Sequence, residues 1–392
     1  MRDIFNNHSS AFGHLTTKEL KKLVRLFRLL SNPRISKLGI LAMKTFGHIK
    51  FPGFQNIQRW LFYPFYAGTT LQESEPTVAS LSNYGVYSYL NYAIEDIYNE
   101  NEFDINCRLV HKLIIHASKS KNIPFSVCKP TSFGHKHLFQ KINAEQTLNQ
   151  DENLAWERVI NRFRSCCQIA QKHDVGLLID AEEYNMQIAV DQLVLGLMRE
   201  FNTSKAVVYN TVQLYLVDGN HRLRQMHSQA AKEGFYLGLK LVRGAYMEKE
   251  RKRAKRNQTP SPICASKEET DANFDTSVSY CLNHLDKMAV VLGSHNEDSV
   301  IQAIEIMDRH QIAHNDHRVW FSQLLGMSDH MSFTLANKGY NVVKFVPFGP
   351  MNKLVPYLAR RAEENTAIAG QTTREFTRLR RELKQRALTN EQ

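Results

Sequence analysis

Eight short apolar runs, separated by segments of helical periodicity, constrain the fold of this chain more than any other feature. The runs span Gly85–Ile94, Ile123–Lys129, Val175–Asp180, Ala206–Leu216, Leu237–Val242, Met288–Gly293, Arg318–Leu325 and Val342–Val346. The helical segments between them include Asn153–His173, Met186–Phe201, Asp271–Leu285 and Asp298–Gln311. Continuous apolar strands are typical of parallel sheets covered on both faces. Eight such units over about 280 residues predict an α/β fold of the (β/α)8, TIM-like barrel type.

A doubly wound parallel sheet is the competing architecture. It usually has fewer strands, and no G-x-G-x-x-G motif follows any of the runs. We therefore expect a barrel at residues 68–370, an N-terminal helical extension at 1–67 and a basic helical tail at 371–392.

The extension contains a basic amphipathic helix. Residues 16–19, Thr-Thr-Lys-Glu, form a capping-box pattern. An apolar stripe then consists of Leu20, Leu23, Val24, Phe27 and Leu30, and the other face carries Lys18, Lys21, Lys22, Arg25 and Arg28. Such a helix either packs on its own domain, the more common case, or lies on an anionic membrane.

The charge balance favours an anionic partner. Lys and Arg outnumber Asp and Glu by 50 to 39, which gives a net charge of +11. Candidates are a membrane surface, nucleic acid or acidic substrates. The densest basic run, Lys249–Arg256, lacks interleaved aromatic residues and any nucleic-acid fold signature. We read it as a solvated helix face and expect no nucleic-acid partner.

The six cysteines form no C-x-x-C pair, and two of them, Cys166 and Cys167, are adjacent. This usage predicts a reducing compartment, with no zinc framework and no metal site. No apolar run approaches the roughly 20 residues of a membrane span, and the N-terminus lacks a signal-peptide core. A cytoplasmic protein fits best, with a trimmed organellar chain as the alternative.

Polar side chains stand where seven of the eight runs end. In chain order the run ends are marked by Glu95, Lys129, Asp180, Gln213, Arg243 with Tyr246, His295 with Asn296, the 324–327 loop, and Phe345. In (β/α)8 barrels the carboxyl ends of the strands carry the chemistry. We therefore expect the functional site at this end of the barrel.

Two of these residues suggest acid–base chemistry. We expect Lys129 and Asp180 to lie across the barrel opening from one another or nearly so. They could be a pair that transfers a proton or binds an amine, or a structural ion pair. In a third alternative, Lys129 forms an imine with a carbonyl substrate. The sequence spacing of the two residues does not distinguish these alternatives. His295, and also His135 with His137, are weak metal candidates because no partner has ligand spacing.

Two further segments point to anion binding. The strand ending in Lys240–Tyr246 carries Gly244 and Ala245, which leave the backbone accessible to a flat group or a phosphate. After the eighth run, a helix from Asn352 places Tyr357, Arg360 and Arg361 on one face. Two guanidinium forks beside a phenol suit a small carboxylate. The alternative is a solvated basic face that pairs with Glu363 and Glu364.

Five motifs follow one another in a fixed order within residues 68–370: Leu178–Glu183, Lys240–Met247, Gly326–His330, Val346–Pro350 and Pro356–Asn365. Together they resemble the proline dehydrogenase family, in its stand-alone rather than its bifunctional form. The resemblance implies a distorted barrel that binds FAD non-covalently. It also implies oxidation of L-proline to Δ1-pyrroline-5-carboxylate by hydride transfer from C5 to flavin N5. Electrons then pass to a membrane quinone, so peripheral contact with a bacterial or mitochondrial inner membrane is expected.

The resemblance also implies residue roles. Arg360 and Arg361 bind the substrate carboxylate, and Glu95 lies near the substrate. Residues lining the proline ring are Lys129, Asp180, Tyr246, Leu324, Phe345 and Tyr357, with Lys129 and Asp180 as the candidates for proton handling. Residues holding the flavin are Gln213, Lys240, Val242, Arg243, Gly244, Ala245, His295, Asn296 and Glu364.

The chain departs from the family pattern at Phe345, where a tyrosine is common, and at Phe348. Phenylalanine keeps the ring bulk but offers no hydrogen bond, which favours proline over hydroxyproline. The alternatives are a hydroxyproline dehydrogenase, a Schiff-base lyase that uses Lys129, and a basic binding protein without catalysis.

Overall fold

Eight parallel strands form one sheet, and this confirms the predicted (β/α)8 barrel. The computed structural model describes residues 4–5, 12–30, 62–92, 99–351, 354 and 371–389. The strands are β1 Val86–Tyr92, β2 Phe125–Cys128, β3 Gly176–Ile179, β4 Val208–Gln213, β5 Leu237–Val242, β6 Met288–Gly293, β7 Val319–Leu324 and β8 Val342–Phe348. Each lies within or close to the run from which it was predicted.

Helices follow the strands and cover the outside of the sheet. They are α1 Thr17–Leu30, α2 Leu71–Ser82, α3 Glu100–Ala117, α4 Lys136–Asn143, α5 Gln150–His173, α6 Tyr184–Phe201, α7 Gly219–Glu233, α8 Met247–Asn257, α9 Lys267–Leu282, α10 Glu297–Arg309, α11 Asp329–Asn337 and α12 Gln371–Thr389. Helix α5 starts three residues before its predicted beginning, because Asn149 and Glu152 form a capping box there.

The strand order β1-β8-β7-β6-β5-β4-β3-β2 runs almost fully around the barrel. Strands β1 and β8 pair in parallel, although they are the first and the last in the sequence. The remaining junction, between β1 and β2, is bridged at its start by the Ser88 N–H, which donates to the Asn122 carbonyl at 2.9 Å. The sheet is therefore a nearly closed barrel.

The alternating directions of side chains along a strand divide the core into two layers. On β5, Leu237, Leu239 and Leu241 are fully buried in the apolar cluster between the sheet and the helices. A second apolar cluster fills the barrel interior and includes Tyr89, Phe125, Leu178, Tyr209, Val343 and Phe345. Both layers are apolar, which explains why the strands read as continuous apolar runs.

Helix α1 packs on α12, so the first and last helices that the structure describes are in contact. The predicted capping box is present, since Glu19 N–H donates to Thr16 Oγ1 at 3.2 Å and Thr16 N–H donates to Glu19 at 2.8 Å. Leu20, Leu23 and Phe27 bury their side chains against Leu379 of α12. This confirms that the apolar stripe packs on the protein itself, while the basic face of α1 stays exposed.

The basic run 249–256 lies in α8 and is mostly exposed, as expected of a solvated helix face. Its one acidic member, Glu250, is buried and accepts from Arg253 at 2.8 Å. No helix within the described ranges is both long enough and apolar enough to cross a membrane.

Candidate active site at the barrel mouth

A buried ion pair lies at the centre of the barrel mouth, the end at which the strands finish. Lys240 of β5 donates from Nζ to Asp180 Oδ1, just past β3, at 2.7 Å. Lys240 is only 6% exposed. Burial alone favours the neutral amine, but the Asp180 carboxylate outweighs it and raises the pKa of Lys240 above its ordinary value. Lys240 is therefore held as an ammonium group beside Asp180, in a site largely closed to water.

Two aromatic rings form the floor beneath this pair. Tyr89 of β1 and Phe345 of β8 are directly paired in register, and their ring centroids lie 5.3 Å apart in an edge-on arrangement. Lys240 Nζ lies 5.3 Å from the Tyr89 centroid and 5.7 Å from that of Phe345. The Tyr89 hydroxyl lies 3.1 Å from Ser322 Oγ of β7. Burial raises the pKa of Tyr89, so this phenol stays protonated.

The structure corrects the expected placement of Lys129 opposite Asp180. Strands β2 and β3 are neighbours, and the Asp180 N–H donates to the Cys128 carbonyl at 2.9 Å. Lys129 and Asp180 therefore follow adjacent strands. The prediction of a position across the mouth was wrong, because the eight runs give the strand sequence but not the angle around the barrel at which each residue ends.

Gln213, at the end of β4, presents a buried acceptor to the mouth. Its amide nitrogen donates to the Glu182 carbonyl at 3.1 Å and contacts the Tyr215 hydroxyl at 3.4 Å. Its Oε1 atom is buried and has no hydrogen-bond partner among the residues described. An unsatisfied buried carbonyl oxygen is costly, so this atom is suited to a ligand N–H donor.

Arg243, which follows β5, is held by two helices. Its guanidinium donates to Asp271 at 2.7 Å, to Ser294 at 2.9 Å and to Ser299 at 2.8 Å. It also stacks over the Phe274 ring, with Cζ 4.4 Å from the centroid. Arg243 thus joins the β5 end to α9 and α10 and contributes a fixed positive charge there.

Position 244 accepts only glycine, because of its backbone conformation and a neighbouring aromatic ring. Its φ of +136° is rarely adopted by residues with a side chain, and an added Cβ would lie 2.5 Å from atoms of the Tyr215 ring. The Tyr215 ring therefore packs closely against the backbone at this position. That Gly244 also leaves the backbone accessible to a flat ligand stays a prediction from the sequence.

His295 is positioned through the loop between β7 and α11. Its Nδ1 lies 3.0 Å from Ser328 Oγ. In the same loop Asp329 accepts from the buried Lys344 at 2.7 Å, and Lys344 also donates to the Met327 carbonyl at 2.6 Å. The motif Gly326–His330 therefore fastens the β7–α11 loop to β8, and through it orients His295.

Helix α12 is joined to the mouth by a network of four residues that we call the Glu297 network: Glu297, His330, Glu375 and Arg378. Arg378 donates to Glu297 at 2.7 Å, and His330 Nε2 lies 3.3 Å from the same oxygen. Glu375 accepts from the Ser328 N–H at 3.0 Å. Against the effect of burial, hydrogen bonds from His330 and Arg378 lower the pKa of Glu297 to about 2. Likewise against burial, Glu297 and Glu375 raise the pKa of His330.

We expect the Glu297 network to make stability depend on pH. The pKa of His330 is raised in the folded protein. Its contribution to the free energy of unfolding is therefore complete below the pKa of the unfolded state, about 6.5, and is lost as pH rises through the pKa of the folded state. Glu297 acts in the opposite sense, because its contribution is complete above about 4.3 and is lost as pH falls towards 2. His330→Gln should cost about 1–3 kcal/mol near pH 5.5. Urea unfolding should show a smaller cost at pH 8.5, and a cost independent of pH would contradict this assignment.

The other residues assigned from the sequence divide into two groups. Half-buried at the mouth, or directly following its strands, are Lys129, Val242, Ala245, Tyr246, Leu324 and Asn296. Asn296 caps α10, accepting from the Asp298 N–H at 2.9 Å. Glu95, Tyr357, Arg360, Arg361 and Glu364 lie outside the described residues.

Sequence reasoning missed three residues of the site. Tyr89 and Ser322 lie inside strands rather than at their ends, so a search of run ends passes over them. Glu182 binds the Thr131 N–H and hydroxyl, both at 2.8 Å, and joins the loops that follow β2 and β3. Successive side chains of a strand point to opposite faces of the sheet, and this alternation would have placed Tyr89 and Ser322 on the inward face of their strands.

Comparisons with known proteins agree with this geometry. The family model described as proline dehydrogenase matches residues 74–374. The carbapenem antibiotics biosynthesis protein CarD of Pectobacterium carotovorum subsp. carotovorum is 35% identical over 82% of this chain and 83% of its own length. Mitochondrial proline dehydrogenase 1 of Homo sapiens is 39% identical over 61% of this chain and 40% of its own length. Hydroxyproline dehydrogenase of Xenopus laevis is 29% identical over 94% of this chain and 87% of its own length.

Solved structures show the same architecture. Proline utilization A from Bdellovibrio bacteriovorus superposes with a TM-score of 0.77 over 94% of this chain, at 18% identity. The chain spans 42% of that protein. This likeness supports the barrel fold, and the family match spans most of the barrel and its mouth. The chain belongs to the proline dehydrogenase family.

Proposed function

We propose that this protein is an FAD-dependent proline dehydrogenase. It oxidises L-proline to Δ1-pyrroline-5-carboxylate by moving a hydride from ring C5 to flavin N5, and its electrons pass to a membrane quinone. The observation that carries the proposal is the buried Lys240–Asp180 pair above the Tyr89 and Phe345 rings. This charged but largely dry site fits a small zwitterionic ring better than an open carbonyl substrate or a nucleic acid.

The residues at the mouth fit a flavin. Gln213 Oε1, which is buried without a partner among the described residues, suits an N–H donor of the flavin ring. Lys240 places a buried cation at the mouth, and the N-terminus of α10 lies next to Arg243, which is paired with Asp271. His295, Asn296, Val242, Gly244, Ala245 and Glu364 complete the proposed flavin contacts. When bound, FAD accepts the hydride.

The remaining chemistry is orientation of the substrate. Arg360 and Arg361 bind the proline carboxylate and thereby hold C5 at the far end of the ring. Tyr246, Leu324, Phe345, Tyr357 and Glu95 surround the ring, and Lys129 and Asp180 stand nearest its nitrogen. Hydride leaves only when the nitrogen lone pair is available, so the amine reacts in its deprotonated form. Asp180 is restrained for this position by its hydrogen bond to Lys240.

A dye-coupled assay tests the proposal directly. The purified chain should take up FAD and reduce an artificial electron acceptor, or a soluble ubiquinone analogue, only when L-proline is present. A protein that takes up no FAD under any condition contradicts the proposal. Borohydride trapping of a carbonyl compound at Lys129 would instead favour a Schiff-base lyase.

We expect a preference for proline over hydroxyproline. Phe345 is buried against Tyr89 and offers a substrate hydroxyl no hydrogen bond, which should cost about 1.5–3 kcal/mol. The kcat/KM for trans-4-hydroxy-L-proline should then be lower by roughly 10–100-fold. Phe345→Ser should reduce the difference in kcat/KM between the two substrates, and the apolar control Phe345→Leu should not. Equal use of both substrates by the unmodified protein would contradict the role of Phe345 and favour a hydroxyproline dehydrogenase.

We propose peripheral contact with an anionic inner membrane, bacterial or mitochondrial, through the exposed basic face of α1. The apolar face of α1 is buried against α12, so the contact is electrostatic rather than an insertion. Each basic residue near such a surface contributes about 1 kcal/mol. The triple variant Lys18→Gln, Lys21→Gln and Arg25→Gln should therefore bind anionic vesicles about 100-fold more weakly.

Co-sedimentation with vesicles at increasing salt measures this contact. The matched control is the triple variant Lys119→Gln, Lys121→Gln and Lys172→Gln, at three exposed positions near the amino-terminal end of the barrel. It should bind the vesicles like the unmodified chain. Binding that does not fall with salt, or that falls equally in both triple variants, would contradict the assignment to α1.

A further inference from the structure

Three potential metal ligands meet between two helices on the outside of the barrel. Cys107 and His111 lie one turn apart on α3, and Cys166 lies on the neighbouring α5. Cys107 Sγ is 3.4 Å from His111 Nε2 and 3.9 Å from Cys166 Sγ. The three ligand atoms all lie within 4.8 Å of one another. Cys166 is fully buried, whereas His111 is partly exposed and gives access from solvent.

These distances match the edges of a tetrahedral zinc site. With Zn–S near 2.3 Å and Zn–N near 2.0–2.1 Å, tetrahedral angles give an S–S edge of about 3.8 Å and an S–N edge of about 3.6 Å. The observed edges are 3.9 Å and 3.4 Å. An ion would need only small side-chain adjustments to bind.

The hydroxyl of Ser165 is the candidate for a fourth ligand. Its hydroxyl donates its proton to the Arg162 carbonyl at 2.8 Å, which leaves its lone pairs directed elsewhere. Its Oγ lies 3.0 Å from His111 Nε2 and 3.4 Å from Cys107 Sγ. The oxygen therefore stands beside two of the three ligands, at a position suited to the fourth corner of a tetrahedron.

We propose that Cys107, His111 and Cys166, with Ser165, form a binding site for Zn2+ that joins α3 to α5. Two thiolates and one imidazole in a tetrahedral arrangement favour Zn2+ over harder divalent cations. The sequence alone predicted no metal site, because Cys107 and Cys166 are 59 residues apart and meet only when α3 packs on α5. The site goes beyond the proposed oxidation of proline and does not depend on it.

The test uses the purified full chain, reduced and freed of metal with a chelator. Titration with Co2+ should saturate at one equivalent and produce thiolate-to-cobalt charge transfer together with tetrahedral absorption at wavelengths longer than those of a flavin. One equivalent of Zn2+ should remove both signals. Wild-type protein that binds no stoichiometric Co2+ or Zn2+ overturns the proposal.

Variants assign the ligands. Cys107→Ser, Cys166→Ser and His111→Ala should each weaken Zn2+ binding by roughly 100-fold or more, since even losses outside the ligand set cost 10–100-fold. Cys167→Ser is the matched control, because Cys167 is also buried on α5 but lies outside the cluster, and it should bind like the wild type. His111 is partly exposed, so His111→Ala should fold even if the serine variants do not.

The rival explanation is that Cys107 and Cys166 form a redox-active cysteine pair. The same purified protein distinguishes the two explanations. A disulfide needs the two sulfur atoms to approach to about 2.05 Å, well inside the present 3.9 Å. Thiol titration after mild oxidation should show that Zn2+ protects Cys107 and Cys166. Loss of these two thiols to a reversible disulfide, in a protein that binds no metal when reduced, overturns the zinc site.

Discussion

Replacing both Arg360 and Arg361 with alanine will raise the KM for L-proline by roughly 10²–10⁴-fold, the largest effect we expect from a change in this chain. Each guanidinium is proposed to make charge-assisted hydrogen bonds to the substrate carboxylate, worth about 1.5–3 kcal/mol per residue. Steady-state kinetics with L-proline measures the change. The flavin absorption spectrum should be unaltered, because the arginines are proposed to bind substrate rather than flavin.

The matched control for this pair removes two other arginines. Arg374→Ala with Arg380→Ala takes the same charge from exposed positions of α12 and should leave the KM nearly unchanged. A small change in KM for the Arg360 and Arg361 variant would contradict the carboxylate-binding role and favour the alternative of a solvated basic face.

Lys240→Met will destabilise the fold by about 3–5 kcal/mol and abolish most activity. The change leaves the Asp180 carboxylate in a largely buried site without its ammonium partner, and breaking a buried pair from one side has this cost. Urea unfolding measures the stability. The exposed pair of Arg164 and Glu200, at 3.0 Å, provides the control, because Arg164→Met should cost no more than about 1 kcal/mol.

A second variant separates charge from packing. Lys240→Met combined with Asp180→Leu removes the whole buried pair, and much of the lost stability should return because apolar replacement of such pairs is often neutral. Activity should not return, since both residues belong to the proposed site. A double variant no more stable than Lys240→Met alone would contradict the view that an unpaired Asp180 causes the loss.

The barrel was predictable because parallel strands covered on both faces leave continuous apolar runs in the sequence. The run Leu237–Val242, for example, was predicted with the bounds that the structure shows. The polar residues at the run ends were also predictable, because strand ends in a barrel meet at one opening. Local signals of this kind suffice to place these polar residues at the barrel mouth.

Contacts between distant residues were not predictable in the same way. Asp180 pairs with Lys240, 60 residues away, rather than with Lys129, because pairing depends on the angle around the closed barrel. Gly244 is explained by the Tyr215 ring, which lies far from it in sequence. The meeting of Cys107 with Cys166 likewise depends on how α3 packs on α5. Each of these contacts depends on how the barrel closes and how its helices pack. The periodicity of the sequence carries no information about either.

Anaerobic reduction of the bound flavin by L-proline tests the central claim most directly. The purified protein should be yellow, and its flavin absorbance should bleach when L-proline is added without oxygen. trans-4-Hydroxy-L-proline, tested side by side, should bleach it far more slowly. A flavin that keeps its absorbance in the presence of L-proline, or a chain that remains colourless after incubation with FAD, would contradict the assignment of this protein as a proline dehydrogenase.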